Sequence, residues 1–287
     1  MRRQILAIVD RVSIAWMRHA PDRLADAYAG FMARRVVPKL YGAASARARA
    51  NFARLRPELD AEAAVAAHWD NTARSFLEVP RAIRLFDEGR VAVEGTEHLG
   101  GRPLIVAALH LGNWEMVGLA MVRAGSAPVA FYQPTSSELR TRTVVAERIR
   151  GGGRLLPVGR DATRPALRAL VQDRDVLLVF LDEHQHGRVA APSLGRGPRS
   201  GGNIEVAARL ARHSGAAIVV GHCERLAPDA SGPRFHVRFE APIEVPRSDD
   251  RDADIRAGVE ALDACIEPLI LGRITQWLML PDWKPEG

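Results

Sequence analysis

The chain has 287 residues, 47% of them hydrophobic, and its two cysteines, Cys223 and Cys265, form no C-x-x-C pair. That length and composition suffice for a large buried core, while the cysteine count excludes a disulfide framework and a zinc knuckle, so a reducing compartment is expected. The net charge of +6 is uneven: residues 1–56 hold twelve Arg or Lys against three Asp, and the remaining 231 residues carry −3. A cationic end points to an anionic partner: a phospholipid surface, an acidic carrier protein or nucleic acid. The third of these lacks support, because the basic region carries no recognised nucleic-acid module and no repeated aromatic platform.

The chain opens with "QILAIVDRVSIAWMRHA", which spaces Ile5, Ile8, Val9, Val12 and Trp16 close to a helical period with Arg3, Arg11 and Arg18 around them. Such a helix lies either on its own domain or in a membrane interface. Asp10 and Arg11 interrupt it, so no secretory signal is expected, and no apolar run reaches the roughly 18 residues of a membrane span. Membrane contact would therefore be peripheral. Residues 1–90 read as a helical, basic N-terminal region, with "ELDAEAAVAAHWDNTARSFLEV" and a break at Pro80.

From Val91 the pattern changes, and residues 91–287 read as one α/β domain. Strand-length apolar runs at Leu104–Leu109, Val129–Tyr132, Leu155–Val158, Val176–Leu181 and Ala217–Gly221 alternate with helical stretches at Ser137–Arg150, Arg164–Gln172 and Asn203–His213. Such alternation predicts a mostly parallel central sheet flanked by helices. "RFHVRFE" alternates with period two, as a half-exposed antiparallel strand does, and Asp252 to Leu271 reads as a last helix. Between Asp182 and Gly202 the chain is rich in Gly, Pro and Arg without periodicity, a long connection of the kind that usually serves function.

The stretch "PLIVAALHLGNWEM" holds the first candidate site. In an open parallel sheet ligands bind beyond the carboxyl ends of strands, which is where His110 falls. Gly112 permits a tight turn, Asn113 is placed to cap a helix starting near Trp114, and Glu115 then lies in its first turn, favoured by the helix dipole. The spacing predicts that Glu115 reaches one imidazole nitrogen of His110 and leaves the other free as a general base.

"HLGNWE" has the H-x4-[DE] form of the glycerolipid acyltransferase superfamily, and the chain from about Asn51 to Trp283 resembles its bacterial lipid A lauroyl and myristoyl acyltransferase branch. The resemblance extends through "VAFYQPTSSELRTRTVVAERIRGG", "DRDVLLVFLDEHQ", "NIEVAARLARHSGAAIVVGHCERL" and "QWLMLPDWK", in that order. It implies a glycerolipid acyltransferase-like α/β fold. The implied reaction moves a fatty acyl group from a thioester donor, acyl carrier protein or acyl-coenzyme A, to a hydroxyl or amine of a lipid acceptor, with no resident cofactor or metal. The acceptor would be a lipid A precursor or another lyso-lipid, at the cytoplasmic face of the bacterial inner membrane.

In the same resemblance His110 is the base and Glu115 its partner, while Asn113, Arg148, Asp182 and Gln133 are the substrate-binding residues. Arg148 and Asp182 handle a phosphate or polar headgroup and organise the site. Gln133 stands where many relatives have a basic residue, and the end reads Trp277, Met279, Pro281, Asp282 in place of a Trp and a His-Arg-rich phrase, which favours a less anionic acceptor. Two rival readings remain: a metal-dependent hydrolase joining His110 to His184 and His186, and a non-catalytic lipid-binding relative. A zinc site needs three or four ligands and a supporting shell, of which "DEHQH" supplies only part.

Overall fold

The computed structural model describes residues 16–100, 103–132, 138–157, 162–173, 175–185, 187–197, 201–230 and 232–285. Helices come first: α1 (Asp22–Phe31), a π-helical turn (Met32–Val36), α2 (Val37–Leu40), α3 (Gly42–Leu55), α4 (Ala61–Glu78) and α5 (Ala82–Asp87). Pro80 lies in a 3-10 turn, Val79–Arg81, that divides α4 from α5, as expected of a residue that cannot continue the helical ladder.

Next come β1 (Val91–Glu94), β2 (Leu104–Ala108), α6 (Glu115–Arg123), β3 (Pro128–Tyr132), α7 (Glu138–Arg150), β4 (Arg154–Pro157), α8 (Thr163–Val171) and β5 (Val176–Phe180). The remainder is β6 (His184–Gln185), β7 (Arg188–Val189), α9 (Gly202–Ser214), β8 (Ala217–Asp229), β9 (Gly232–Phe239) and α10 (Arg251–Gly272). Seven strands form one sheet in the order β1-β9-β8-β2-β5-β3-β4, parallel except for the β8–β9 pair.

The mostly parallel sheet between helical layers agrees with the expectation. Two strands differ from it in extent. β8 runs on from Gly221 to Asp229 because its outer half pairs antiparallel with β9, which supplies the hydrogen-bond partners that a polar "HCERLAPD" could not promise. β1 is a short edge strand with alternate residues exposed, too brief to register as an apolar run.

β2 lies at the centre with all five residues buried. Side chains alternate between sheet faces. Ile105, Ala107 and Leu109 join one core with Leu177, Val179 and Leu181 of the β5 segment, while Leu104, Val106 and Ala108 join the opposite core with Leu178 and Phe180. β2 and β5 are parallel with Ala108 beside Phe180. Two residues further, His110 and Asp182 leave the sheet side by side with the same parity.

The helical N-terminal region shares the first of these cores. Phe52, Val65 and Trp69 pack in the cluster that holds Ile105, Val179 and Ile218. Asn51 donates hydrogen bonds to the carbonyls of Leu280 and Trp283 at 2.7 and 2.9 Å. Ion pairs Arg74–Asp26, Arg81–Asp22 and Arg18–Glu147 tie the first described residues to α4, the Val79–Arg81 turn and α7.

In α1 the small residues Ala25, Ala29 and Gly30 face inward, while Leu24, Tyr28 and Phe31 are exposed, as are Leu40 and Tyr41 beyond it. Exposed Arg23, Arg34, Arg35 and Lys39 lie among them. The amphipathic segment expected from Gln4 lies outside the described residues up to position 15; its Trp16 is exposed and meets Tyr28 edge-on at 5.6 Å. No helix among the described residues is long and apolar enough to cross a membrane.

Candidate active site

The carboxylate that serves the imidazole of His110 is Asp182. Nδ1 of His110 lies 2.9 Å from Asp182 Oδ1, and the backbone N–H of His110 donates to Oδ2 at 2.9 Å. The indole N–H of Trp277 donates to the same Oδ2 at 2.9 Å. Asp182 is fully buried, so three N–H groups replace the water it has lost. With Nδ1–H donated to the carboxylate, Nε2 is the nitrogen left to take a proton.

The expectation that Glu115 orients His110 is therefore corrected. Register brings residues 110 and 182 together at the ends of adjacent parallel strands, whereas Glu115 starts α6 and meets Arg148 of α7. Arg148 Nε donates to Oε2 of Glu115 at 3.0 Å and Nη2 donates to Oε1 at 2.8 Å, while the Trp114 indole N–H donates to Oε1 at 3.2 Å. Asn113 is not the cap of α6 either. It is buried one residue before the cap position, which Trp114 occupies without a side-chain hydrogen bond, and its Nδ2 donates to Glu78 Oε2 at 3.0 Å.

Aromatic rings frame the imidazole. Phe180 stacks on His110 with centroids 4.3 Å apart, and Trp114 meets it edge-on at 5.4 Å. The Arg148 guanidinium lies 5.9 Å from the Phe180 ring centroid. Glu183 approaches the other imidazole nitrogen, its Oε2 3.9 Å from Nε2.

These charges set the protonation behaviour. Burial pushes the His110 pKa down, but the charge and hydrogen bond of Asp182, helped by Glu183, outweigh burial and hold it above the ordinary imidazole value. For Glu115, burial favours the neutral acid, yet the Arg148 charge and hydrogen bonds prevail and keep its carboxyl below the usual range.

The turn that carries His110 is clamped from below. Gly112 has φ +54°, and a Cβ there would lie 2.7 Å from the carbonyl oxygen of Cys223, so only glycine fits. Ser75 donates to the Gly112 carbonyl at 2.6 Å. Arg225 of β8 donates twice to Glu78, both at 2.7 Å, and once to Asn71 at 2.8 Å. Above the turn, the C-terminal segment closes by backbone: Leu278 N–H donates to the His110 carbonyl at 3.0 Å and Gly112 N–H to that of Gln276 at 3.2 Å.

Against the two rings that frame the imidazole lies an apolar cleft, part of it open to solvent. Its wall includes Trp114 and Phe180, the two rings on His110, with Glu115, Arg148, Leu119, Val122, Leu155 and Leu178. Gly118 lines it as well. A glycine inside a helix costs about 1 kcal/mol relative to alanine, and here its absent side chain leaves room against Leu178, whose Cδ2 would be 3.7 Å from a Cβ.

Of the residues expected from the sequence, His110 and Asp182 form one pair and Glu115 and Arg148 another, and Asn113 sits in the clamp beneath. Gln133 and His186 lie outside the described residues, and His184 is in β6, paired with Val189. Sequence reasoning did not single out Phe180, Glu183 or the Glu78–Arg225 pair, and it marked Trp277 without its bond to Asp182. The parity of β5 could have found Phe180, because residues 178, 180 and 182 share a face.

The family model described as bacterial lipid A biosynthesis acyltransferase matches residues 5–284. No curated protein matches the sequence. Among solved structures, the 1-acyl-sn-glycerophosphate (LPA) acyltransferase PlsC from Thermotoga maritima aligns with a TM-score of 0.41 at 20% identity, covering 86% of this chain and 97% of that one.

In an NMR titration the His110 ring should change protonation above the ordinary imidazole value. Asp182→Asn should lower that midpoint by about one pH unit or more, because the neutral amide no longer stabilises imidazolium. An unchanged midpoint would show that the pair is not coupled.

Proposed function

The chain belongs to the bacterial lipid A biosynthesis acyltransferase family, and from that premise we propose that it transfers a fatty acyl group from a thioester to a hydroxyl or amine of a lipid acceptor, with His110 as general base. The observation that carries this reading is the buried Asp182–His110 pair, with Nε2 left as the proton acceptor and the rings of Phe180 and Trp114 shared between the imidazole and an apolar cleft.

The acceptor proton passes to Nε2 while Nδ1–H stays on Asp182. The freed nucleophile attacks the thioester carbonyl carbon, and the carbonyl electron pair moves onto oxygen. Arg148, fixed by both oxygens of Glu115, is the cation available to that oxyanion, and such preorganised charge is commonly the largest catalytic contribution. Collapse breaks the C–S bond, and the departing thiolate takes the proton from Nε2. Glu115 thus acts through Arg148, a different role from the imidazole partner the spacing suggested.

The acyl chain occupies the cleft between α6, α7 and the sheet, with Gly118 leaving room for its methylenes. The donor is an acyl carrier protein or acyl-coenzyme A, and the acceptor is a lipid A precursor or another lyso-lipid. The protein works from the cytoplasmic face of the inner membrane, held there by α1 and α2. Leu24, Tyr28, Phe31 and Leu40 point outward while the alanines of α1 pack inward, and the interspersed Arg and Lys suit anionic headgroups.

His110→Ala should lower acyl transfer by about 10²-fold or more, the usual range for a lost general base, in a protein whose circular dichroism is unaltered. Retained turnover would defeat the reading; lipid mass spectrometry of cells with and without the protein identifies the acylated product.

Gly118→Met should shift donor preference to shorter chains. The longest accepted chain should lose about tenfold or more in kcat/KM, in line with the worth of a displaced methylene, while short chains are spared. An unaltered chain-length profile would place the acyl chain elsewhere.

For the membrane surface, a Tyr28→Glu, Phe31→Glu, Leu40→Glu variant should lose co-sedimentation with phosphatidylglycerol vesicles. Each buried aromatic or leucine contributes on the order of 2 kcal/mol. Undiminished binding by the folded variant would rule out this face.

A further inference from the structure

Around the imidazole stand three carboxylates, Asp182, Glu183 and Glu115, and among the described residues one guanidinium, Arg148, faces them. Two of the carboxylates are already occupied. Asp182 accepts three N–H groups behind Nδ1, and Glu115 accepts both arms of Arg148.

Glu183 differs from both. Its Oε2 stands 3.9 Å from Nε2 of His110, beyond hydrogen-bonding distance. Its side chain is 26% exposed where that of Asp182 is fully buried. It thus lies on the Nε2 side of the imidazole, the side a nucleophile must approach, and is partly exposed.

The spacing has a chemical consequence. An ionised carboxylate only accepts hydrogen bonds, and neutral Nε2 also accepts. A group lying between two acceptors 3.9 Å apart is bound by both only if it brings two protons. A lone hydroxyl brings one, and once Nε2 has it, Glu183 faces an oxygen lone pair. A primary amine brings two on the same atom, and a hydroxyl flanked by a second hydroxyl or an amine brings two on neighbouring atoms. A phosphomonoester at the same distance brings negative charge against a carboxylate.

We propose that Glu183 selects the acceptor: its carboxylate takes a hydrogen bond from a second N–H or O–H donor at the reacting end of the lipid and turns away acceptors that carry a phosphate there. The inference rests on the acyl-transfer reading and narrows its substrate class to primary amines, diols and amino alcohols with a hydrocarbon tail.

Four acceptors separate the cases, each offered with a myristoyl thioester on acyl carrier protein and, in parallel, on coenzyme A. Sphinganine supplies an amine beside a hydroxyl, 1-monoacylglycerol a diol, hexadecanol one hydroxyl, and lysophosphatidic acid a hydroxyl near a phosphate. Sphinganine or monoacylglycerol should exceed both others in kcat/KM by about tenfold or more, the worth of one hydrogen bond to a charged group. The better of the two tells amine from diol.

In Glu183→Gln the preference over lysophosphatidic acid should fall by about the same factor, and binding of the preferred lipid, followed by tryptophan fluorescence, should weaken alongside. A wild-type preference for lysophosphatidic acid, or equal binding of all four lipids to wild type and Glu183→Gln, overturns the proposal. If transfer depends on His110 but the preference is unmoved in Glu183→Gln, the selection idea alone is wrong. If transfer persists in His110→Ala, the underlying reading is wrong.

Discussion

A fully buried carboxylate with three N–H donors organises the centre of this molecule. Taking Asp182 out of water is costly unless every oxygen is served, and the three donors come from two places far apart in the chain: His110 supplies two, Trp277 the third. The charge thus joins β5, β2 and the C-terminal segment at one point. The same carboxylate fixes the imidazole tautomer, so the stability of the junction and the chemistry of Nε2 have one source.

The corner after β2 is held just as tightly. Gly112 brings its backbone against β8, and α4 reaches it through Ser75 and Glu78. Arg225 is paired with both oxygens of Glu78, a geometry that compensates two charges lying mostly away from water. An imidazole at a strand end would otherwise move with its loop. Here helix, sheet and C-terminal segment share the task of keeping it still.

One face of the sheet gathers the functional parts. Phe180 and Leu178 of β5 point to the side where α6 and α7 enclose the apolar cleft, and His110 and Asp182 emerge with the same parity. Glu147 and Arg148, successive residues of α7, connect this cleft in two directions. Arg148 holds Glu115, and Glu147 pairs with Arg18 of the N-terminal helices. The segment that leads into α1 is therefore tied, through Glu147, to the helix that forms part of the cleft wall.

Much of this was legible in the linear chain. The period-two and apolar runs located β2 to β5, β8 and β9 because a parallel central strand is apolar on both faces and announces itself. "HLGNWE" marked His110, since an imidazole ending such a run is conspicuous. Its partner could not be found by spacing. Glu115 is near in sequence but turns with α6 toward Arg148, while Asp182 is 72 residues away and adjacent only because β2 and β5 pair in register. Glu183, Arg225 and the bond from Trp277 to Asp182 stayed hidden for the same reason. Local pattern determined which segments are strands and helices and which residue could act as a base. Tertiary pairing decided which carboxylate serves it, because strand neighbours are chosen by the packing of whole faces, a property no short stretch of sequence contains.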